Sequence, residues 1–279
     1  MLRVGLFLAT NFAVLLVLSI VLNVLGLGQQ GGGIGGFLVI ASLFGMGGSF
    51  ISLFMSKSMA RRAVNARSIE QPKTELERWL VSTVNKQANA SNIKPPEVAI
   101  FESATANAFA TGADRNASLV AVSTGLLSAM TRDEVEAVLA HEISHVSNGD
   151  MVTLALLQGV MNTFVMVLAH VLAAAIDRNS RGRGMGYYIG YFAAQMILGF
   201  LASLLVMWFS RFREYKADLG GARLAGKEKM IQALQKLQSA HSTEPLPDDV
   251  KAFGINGSLS SFLSTHPPLG ARIEALRKL

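Results

Sequence analysis

From Val4 to Ser56 the chain carries no charged residue. That length suits two membrane crossings, about Val4–Leu25 and Gly35–Met55, with the glycines at Gly31–Gly36 reading as a flexible turn ahead of the second. Met151–Ile176 and Gly184–Ser210 are two further uncharged apolar stretches of spanning length. Between the two pairs the pattern changes. Ser58–Asn92 reads as one amphipathic helix, with Leu76, Leu80 and Val84 at helical spacing and an end near Ser91-Asn92. Glu97–Phe101, Ala106–Ala110 and Ser118–Ser123 are short apolar runs separated by turn-formers such as Gly112-Ala113-Asp114, and they predict a small sheet. Thr131-Arg132-Asp133-Glu134 has the form of a capping box and opens another helix. Val135, Val138, Leu139 and Ile143 give that helix a buried stripe, and Asn148-Gly149 ends it.

Composition agrees with this membrane pattern. Hydrophobic residues make up 51% of the 279 and charged residues only 16%, with a mean hydropathy of +0.38, well away from an ordinary soluble domain. No short apolar region with a small-residue cleavage site marks a removable signal peptide, so the first span is expected to stay as an anchor. The net charge of +6 gathers beside the spans, at Lys57, Arg61, Arg62, Arg67, Arg211, Arg213 and Lys216. That placement predicts cytoplasmic flanks meeting anionic lipid rather than a nucleic-acid surface. The loop Asp177–Arg183 also carries Arg178, Arg181 and Arg183, which argues against an external location for it. With no cysteine, disulfides, thiolate ligands and a cysteine nucleophile are excluded.

The chemistry sits at His141-Glu142-Ile143-Ser144-His145. Positions i and i+4 share one helix face, so both imidazoles reach a single ion, and Glu142 lies where it can deprotonate a water at that ion. A catalytic zinc takes three protein ligands, and without cysteine the third is Asp, Glu or His. Glu214 and Asp218, also at i and i+4, follow the fourth span. Glu214 would supply the third ligand, and Asp218 would accept the free ring N–H of a ligating histidine. Taken alone the pair reads equally as surface carboxylates beside Arg213 and Lys216. Ligands on both sides of residues 151–210 require that stretch to cross the membrane twice or not at all. His170, inside the third span, reads as a neutral histidine bonded to a neighbouring helix near Gln195. His241 reads as part of a polar loop.

His141–His145, Arg213–Asp218, Asn107-Ala108-Phe109-Ala110-Thr111-Gly112, and Ser264–Leu269 with Arg272-Ile273 together resemble the HtpX family of bacterial membrane-bound zinc endopeptidases, relatives of the CAAX prenyl proteases. The resemblance covers essentially the whole chain. It implies a gluzincin fold, one Zn2+ per chain, and a stress-linked role in quality control of membrane proteins. It also makes Asn107, Ala108, Phe109 and Ala110 a candidate substrate-binding edge strand, against the alternative of a plain core strand. His266 becomes a candidate donor to the oxyanion or to Glu214, against the alternative of a rigid helix start at His266-Pro267-Pro268. Tyr215 is a weaker donor candidate.

The expected architecture is α+β and mainly helical: an integral membrane protein with four transmembrane helices and a zincin-like catalytic domain holding a small sheet. A first hairpin would cover 1–56 and a second 151–210, inserted between catalytic segments 57–150 and 211–279. The expected activity is hydrolysis of polypeptides, chiefly misfolded membrane proteins, at the cytoplasmic face of the bacterial inner membrane. The lipid bilayer is the other expected partner, and no nucleic acid is expected. A CAAX-type processing peptidase shares this chemistry but generally has more spans; a membrane adaptor or holdase would need no zinc. An intramembrane protease would place the motif inside a span, whereas Arg132, Asp133, Glu134 and Glu136 put it in water.

Overall fold

The computed structural model describes residues 34–177, 184–243 and 266–279. The predicted first span, Gly31–Gly33 of the glycine turn, residues 178–183 of the arginine loop, and Ser264-Thr265 lie outside them. The described elements run α1 (Ile34–Ala63), β1 (Arg67–Ser68), α2 (Glu75–Ala90), β2 (Glu97–Phe101), β3 (Ala108–Thr111), β4 (Leu119–Ser123), α3 (Thr124–Ala129), α4 (Arg132–Asn148), α5 (Asp150–Ile176), α6 (Met185–Ala225), α7 (Lys227–Thr243) and α8 (Leu269–Arg277). The protein is therefore mainly helical with one small sheet. Among the described residues three helices, with spans at Leu38–Ala63, Asp150–Ile176 and Met185–Ala225, are long and apolar enough to cross a membrane.

The chain divides into two compact units, residues 1–52 with 154–206, and residues 53–153 with 207–279. In the first, Phe44, Phe192, Ile197, Phe200 and Leu205 are exposed, as side chains meeting lipid tails must be. His170 does not reach Gln195. Its Nδ1 lies 2.6 Å from the Tyr187 hydroxyl, while the Gln195 amide donates to Tyr191 at 2.7 Å. The imidazole bonds to a neighbouring helix as expected, with the Tyr187 phenol rather than Gln195 as the partner.

The second unit holds the sheet, in the order β1-β2-β4-β3. β2 and β4 run parallel, and β1 and β3 pair antiparallel on the two sides. Alternation along the strands sorts two faces. Val98, Ala110, Val120 and Val122 join the main core with Leu80 and Val84 of α2, Leu139 and Ile143 of α4, Met230 and Leu234 of α7, and Ile273 and Leu276 of α8. Ala99, Phe101, Leu119 and Ala121 form a smaller cluster with Ala66. The predicted strands match closely, because their apolar runs were bounded by clear turn residues.

Ser58–Asn92 is not one helix. α1 carries on past the predicted Met55 end to Ala63, so Gly35 and Gly36 are helical too. The chain then turns at Asn65, whose φ of 48° is left-handed, and forms β1. A new helix starts only after Pro72, which disfavours helix at the residue before it. Thr74 caps it in a full capping box with Glu77. His241, expected in a loop, lies on helical backbone in α7. Arg213, expected among lipid head groups, is buried; Lys57 and Arg61 pair with Glu97. Internal carboxylates claim these cations, which charge counting alone does not reveal.

Glu77 gives this unit an acid-sensitive joint. Its carboxylate accepts from Arg67 at 2.7 Å and from the Lys73 and Thr74 backbone N–H groups at 2.7 and 3.2 Å. The Arg67 bond and then the two backbone bonds push its pKa down from 4.5 to about 2. A depressed folded value means stability that is whole above the unfolded value and lost as pH falls toward the folded one. The unfolding midpoint of the parent protein should therefore fall more steeply than that of Glu77→Gln between about pH 5 and about pH 2. Parallel pH profiles would show that the carboxylate contributes nothing.

Candidate metal centre

α4 opens on the predicted capping box, with Thr131 accepting from the Glu134 N–H and Glu134 reaching back to Thr131. It ends at Gly149, whose φ of 66° suits glycine. Val135, Leu139 and Ile143 are buried, which turns His141 and His145 inward on the same side. α6 brings Glu214 to them. Its approach is close because it carries two glycines. A Cβ at Gly220 would lie 2.9 Å from the Ser144 Cβ, and one at Gly221 would lie 3.1 Å from the His141 nitrogen.

His141 Nε2 and His145 Nε2 are 3.1 Å apart. Glu214 Oε2 lies 3.5 Å from the first and Oε1 3.3 Å from the second. These three residues are buried and their donor atoms can hold one metal ion. Tetrahedral ligands at the Zn–N and Zn–O distances of about 2.0–2.2 Å stand about 3.3 Å from one another, so the observed spacing fits zinc.

The surrounding bonds support that fit. His141 Nδ1 lies 3.0 Å from Asp218 Oδ1, and His145 Nδ1 lies 2.7 Å from Asp150 Oδ2. Carboxylates at both Nδ1 atoms favour the tautomer that leaves each Nε2 a lone pair, and two lone pairs facing each other call for a cation between them. Glu214 Oε2 is buried with no aligned hydrogen-bond donor, although His266 Nδ1 stands 3.0 Å away and Arg272 Nη1 3.2 Å away. Arg272 also grips Asp218 with two bonds of 2.7 and 2.6 Å.

Electrostatics follow from this packing. Burial alone would raise the Glu214 pKa, but the imidazoles of His141, His145 and His266 hold it well below the usual carboxylate range. Burial likewise opposes protonation of His145, yet Asp150 and Glu214 push its pKa up to about 9. The cluster is built to hold positive charge. Burial pushes the Glu142 carboxyl up, with a backbone hydrogen bond from Ala110 working against it.

The remaining candidates are placed as follows. Asp218 is buried against His141. The His266 ring is 64% exposed beside Glu214, and Pro268 caps α8. Tyr215 is exposed. β3 is at the open edge of the sheet. Asn107 O accepts from Ser123 N at 2.9 Å, so Asn107, Phe109 and Thr111 turn their backbone groups toward β4. Ala108 and Ala110 then turn theirs outward. Sequence reasoning missed Asp150 and gave Arg272 no role. An acid at the first position of an otherwise uncharged apolar helix was the available signal for Asp150. Arg272 had none beyond the motif around it.

Residues 74–279 match the sequence profile of peptidase family M48. This chain belongs to that family. Protease HtpX of Haemophilus influenzae (strain 86-028NP) is 56% identical over 285 residues, covering 100% of both chains. Protease HtpX of Stenotrophomonas maltophilia (strain K279a) is 55% identical over 282 residues, covering 99% of this chain and 97% of its own. The crystal structure of S. mikatae Ste24p superposes with a TM-score of 0.66 at 17% identity, over 96% of this chain. This chain spans only 62% of the Ste24p chain, and the likeness is one of fold. As an M48 peptidase of the HtpX type, the protein is a multi-pass membrane zinc metalloendopeptidase with a His-His-Glu metal site.

Proposed function

We propose that this M48 peptidase cuts misfolded or damaged membrane proteins at the cytoplasmic face of a bacterial inner membrane, as part of stress-linked quality control. The observation that carries the hydrolytic part is the convergence of His141, His145 and Glu214 within ligand spacing, with Glu142 on the same helix beside the open edge of β3. Four spans around a zincin-like domain remain the architecture we favour, on the strength of the uncharged 4–56 stretch. The cytoplasmic orientation is supported by Arg62 and Arg67 after the second span. The arginines of the 177–183 loop, which four spans would place on the opposite face, weigh against it and are outweighed by the need to return the chain to the metal site. The client class is supported by the membrane anchoring itself, which concentrates the enzyme near such clients.

In the proposed mechanism His141, His145 and Glu214 hold the zinc. Bound zinc supplies Lewis acidity, polarising a carbonyl and making water acidic near neutral pH. A peptide segment adds to β3 through the outward backbone groups of Ala108 and Ala110, so the two remaining members of the predicted strand, Asn107 and Phe109, act by holding β3 to β4. Glu142 takes a proton from the attacking water and delivers it to the leaving nitrogen. Asp218 keeps His141 oriented, and Arg272 keeps Asp218 ionised. His266, beside Glu214 and open to solvent, is placed to donate toward the reacting carbonyl oxygen.

Casein and an unfolded membrane-protein client, each incubated with purified full-length protein in detergent, test this reading. Cleavage of both that stops with chelator and returns with zinc is expected. Cleavage indifferent to chelator, or zinc-bound protein that cuts neither, would overturn it.

A further inference from the structure

We propose that Asp150 and Arg213 form a positioning clamp that sets His145 for metal binding and fixes α5 and α6 to each other at the metal site. The inference rests on the zinc reading above and concerns two residues to which that mechanism gives no role.

Asp150 is the first residue of α5, and Arg213 lies on α6 immediately before Glu214. Both side chains are buried, with relative exposures of 6% each. Asp150 Oδ2 stands 2.7 Å from His145 Nδ1, and the Arg213 Nη1 donates to the Asp150 backbone oxygen at 2.6 Å. Arg213 Nε faces Asp150 Oδ1 at 3.8 Å, without a hydrogen-bond partner of its own. One guanidinium therefore bonds the backbone oxygen of the residue that orients His145 and stands within ion-pair distance of its carboxylate.

A buried carboxylate and a buried guanidinium are costly apart from each other. Their presence at the start of one apolar helix and just past the apolar stretch of another is not needed for packing, which an apolar pair would serve as well. The geometry gives them two tasks. Asp150 accepts the Nδ1–H of His145 and so directs the Nε2 lone pair at the metal position. Arg213, tied to Asp150, fixes the rotation of α6 and with it the direction of Glu214, the next residue. The fold thus has separate orienting carboxylates for its two histidines, Asp218 for His141 and Asp150 for His145. Displacement of α5 against α6 at this point would disturb two of the three metal donors at once.

The test uses full-length protein in detergent, stripped of metal and titrated with zinc against a chromophoric chelator and with cobalt by its visible absorption. Asp150→Ala and Arg213→Gln are each expected to weaken zinc by about 10–100-fold and to change the cobalt spectrum. Asp150→Asn, which keeps an acceptor for Nδ1–H, is expected to recover part of the Asp150→Ala loss. Wild-type affinity and spectrum in a folded Asp150→Ala would overturn the clamp while leaving the zinc reading intact. If Asp150→Ala does not fold, folded Arg213→Gln carries the test: weakened zinc with a shifted cobalt spectrum supports the clamp, and wild-type values for both overturn it. Absence of zinc binding by the wild type would instead defeat the zinc reading itself.

Discussion

Glu142→Gln is expected to lower kcat for peptide hydrolysis by about 10²–10⁴-fold, the range for removing a positioned general acid–base, while zinc content and KM stay near the parent's. Glutamine keeps the shape of the side chain, so the packing around it has no reason to change. It loses the ability to take and return a proton. Glu142 is not one of the metal donors: His141 and His145 on the same helix would hold the metal with Glu214, and Glu142 lies between the two histidines in sequence. Single-turnover kinetics with metal analysis of the same sample would check this. A Glu142→Gln protein that hydrolyses peptide at the parent rate would remove Glu142 from the mechanism. One that has lost its zinc would make it a ligand or a structural support instead.

Glu214→Ala is expected to have the largest effect on metal affinity. Loss of an orienting partner typically costs about 10–100-fold, and loss of a ligand should exceed that. The substitution also strips a carboxylate from a buried neighbourhood that includes His141, His145, His266 and Arg272, at 3.5, 3.3, 3.0 and 3.2 Å. Four groups that are positive or can become so would then face one another with less compensation, and a buried uncompensated charge costs about 3–5 kcal/mol. Zinc affinity and the unfolding midpoint should fall together. A stable Glu214→Ala protein that holds zinc at parent affinity would mean that the third donor lies elsewhere.

Much of this site could be read before any coordinates, because helix periodicity converts spacing directly into direction. His141 and His145 at i and i+4, and Glu214 and Asp218 likewise, needed only a helix under each pair. The Thr131 capping box and the Gly149 stop were local signals of the same kind. Strands β2, β3 and β4 were legible because Glu97–Phe101 and its neighbours are apolar runs between turn formers. What the sequence concealed depended on how successive helices join or on contacts made across long separations. Asp150 orients His145 only because α5 begins at the end of α4, and Arg272 meets Asp218 across 54 positions. The break between α1 and α2 was missed because amphipathic spacing persisted on both sides of it, while Asn65 and Pro72 redirect the backbone between. Ion pairs were hidden for a related reason: Lys57 and Arg61 meet Glu97, and Arg213 meets Asp150, far along the chain.

Metal-stripped full-length protein, titrated with zinc while peptide hydrolysis is followed, tests the central claim most directly. Activity should rise linearly and saturate at one zinc per chain, and His141→Ala or His145→Ala should show no saturable recovery over the same range. Full activity in the stripped protein, or equal recovery in the histidine variants, would contradict a single zinc held by His141, His145 and Glu214.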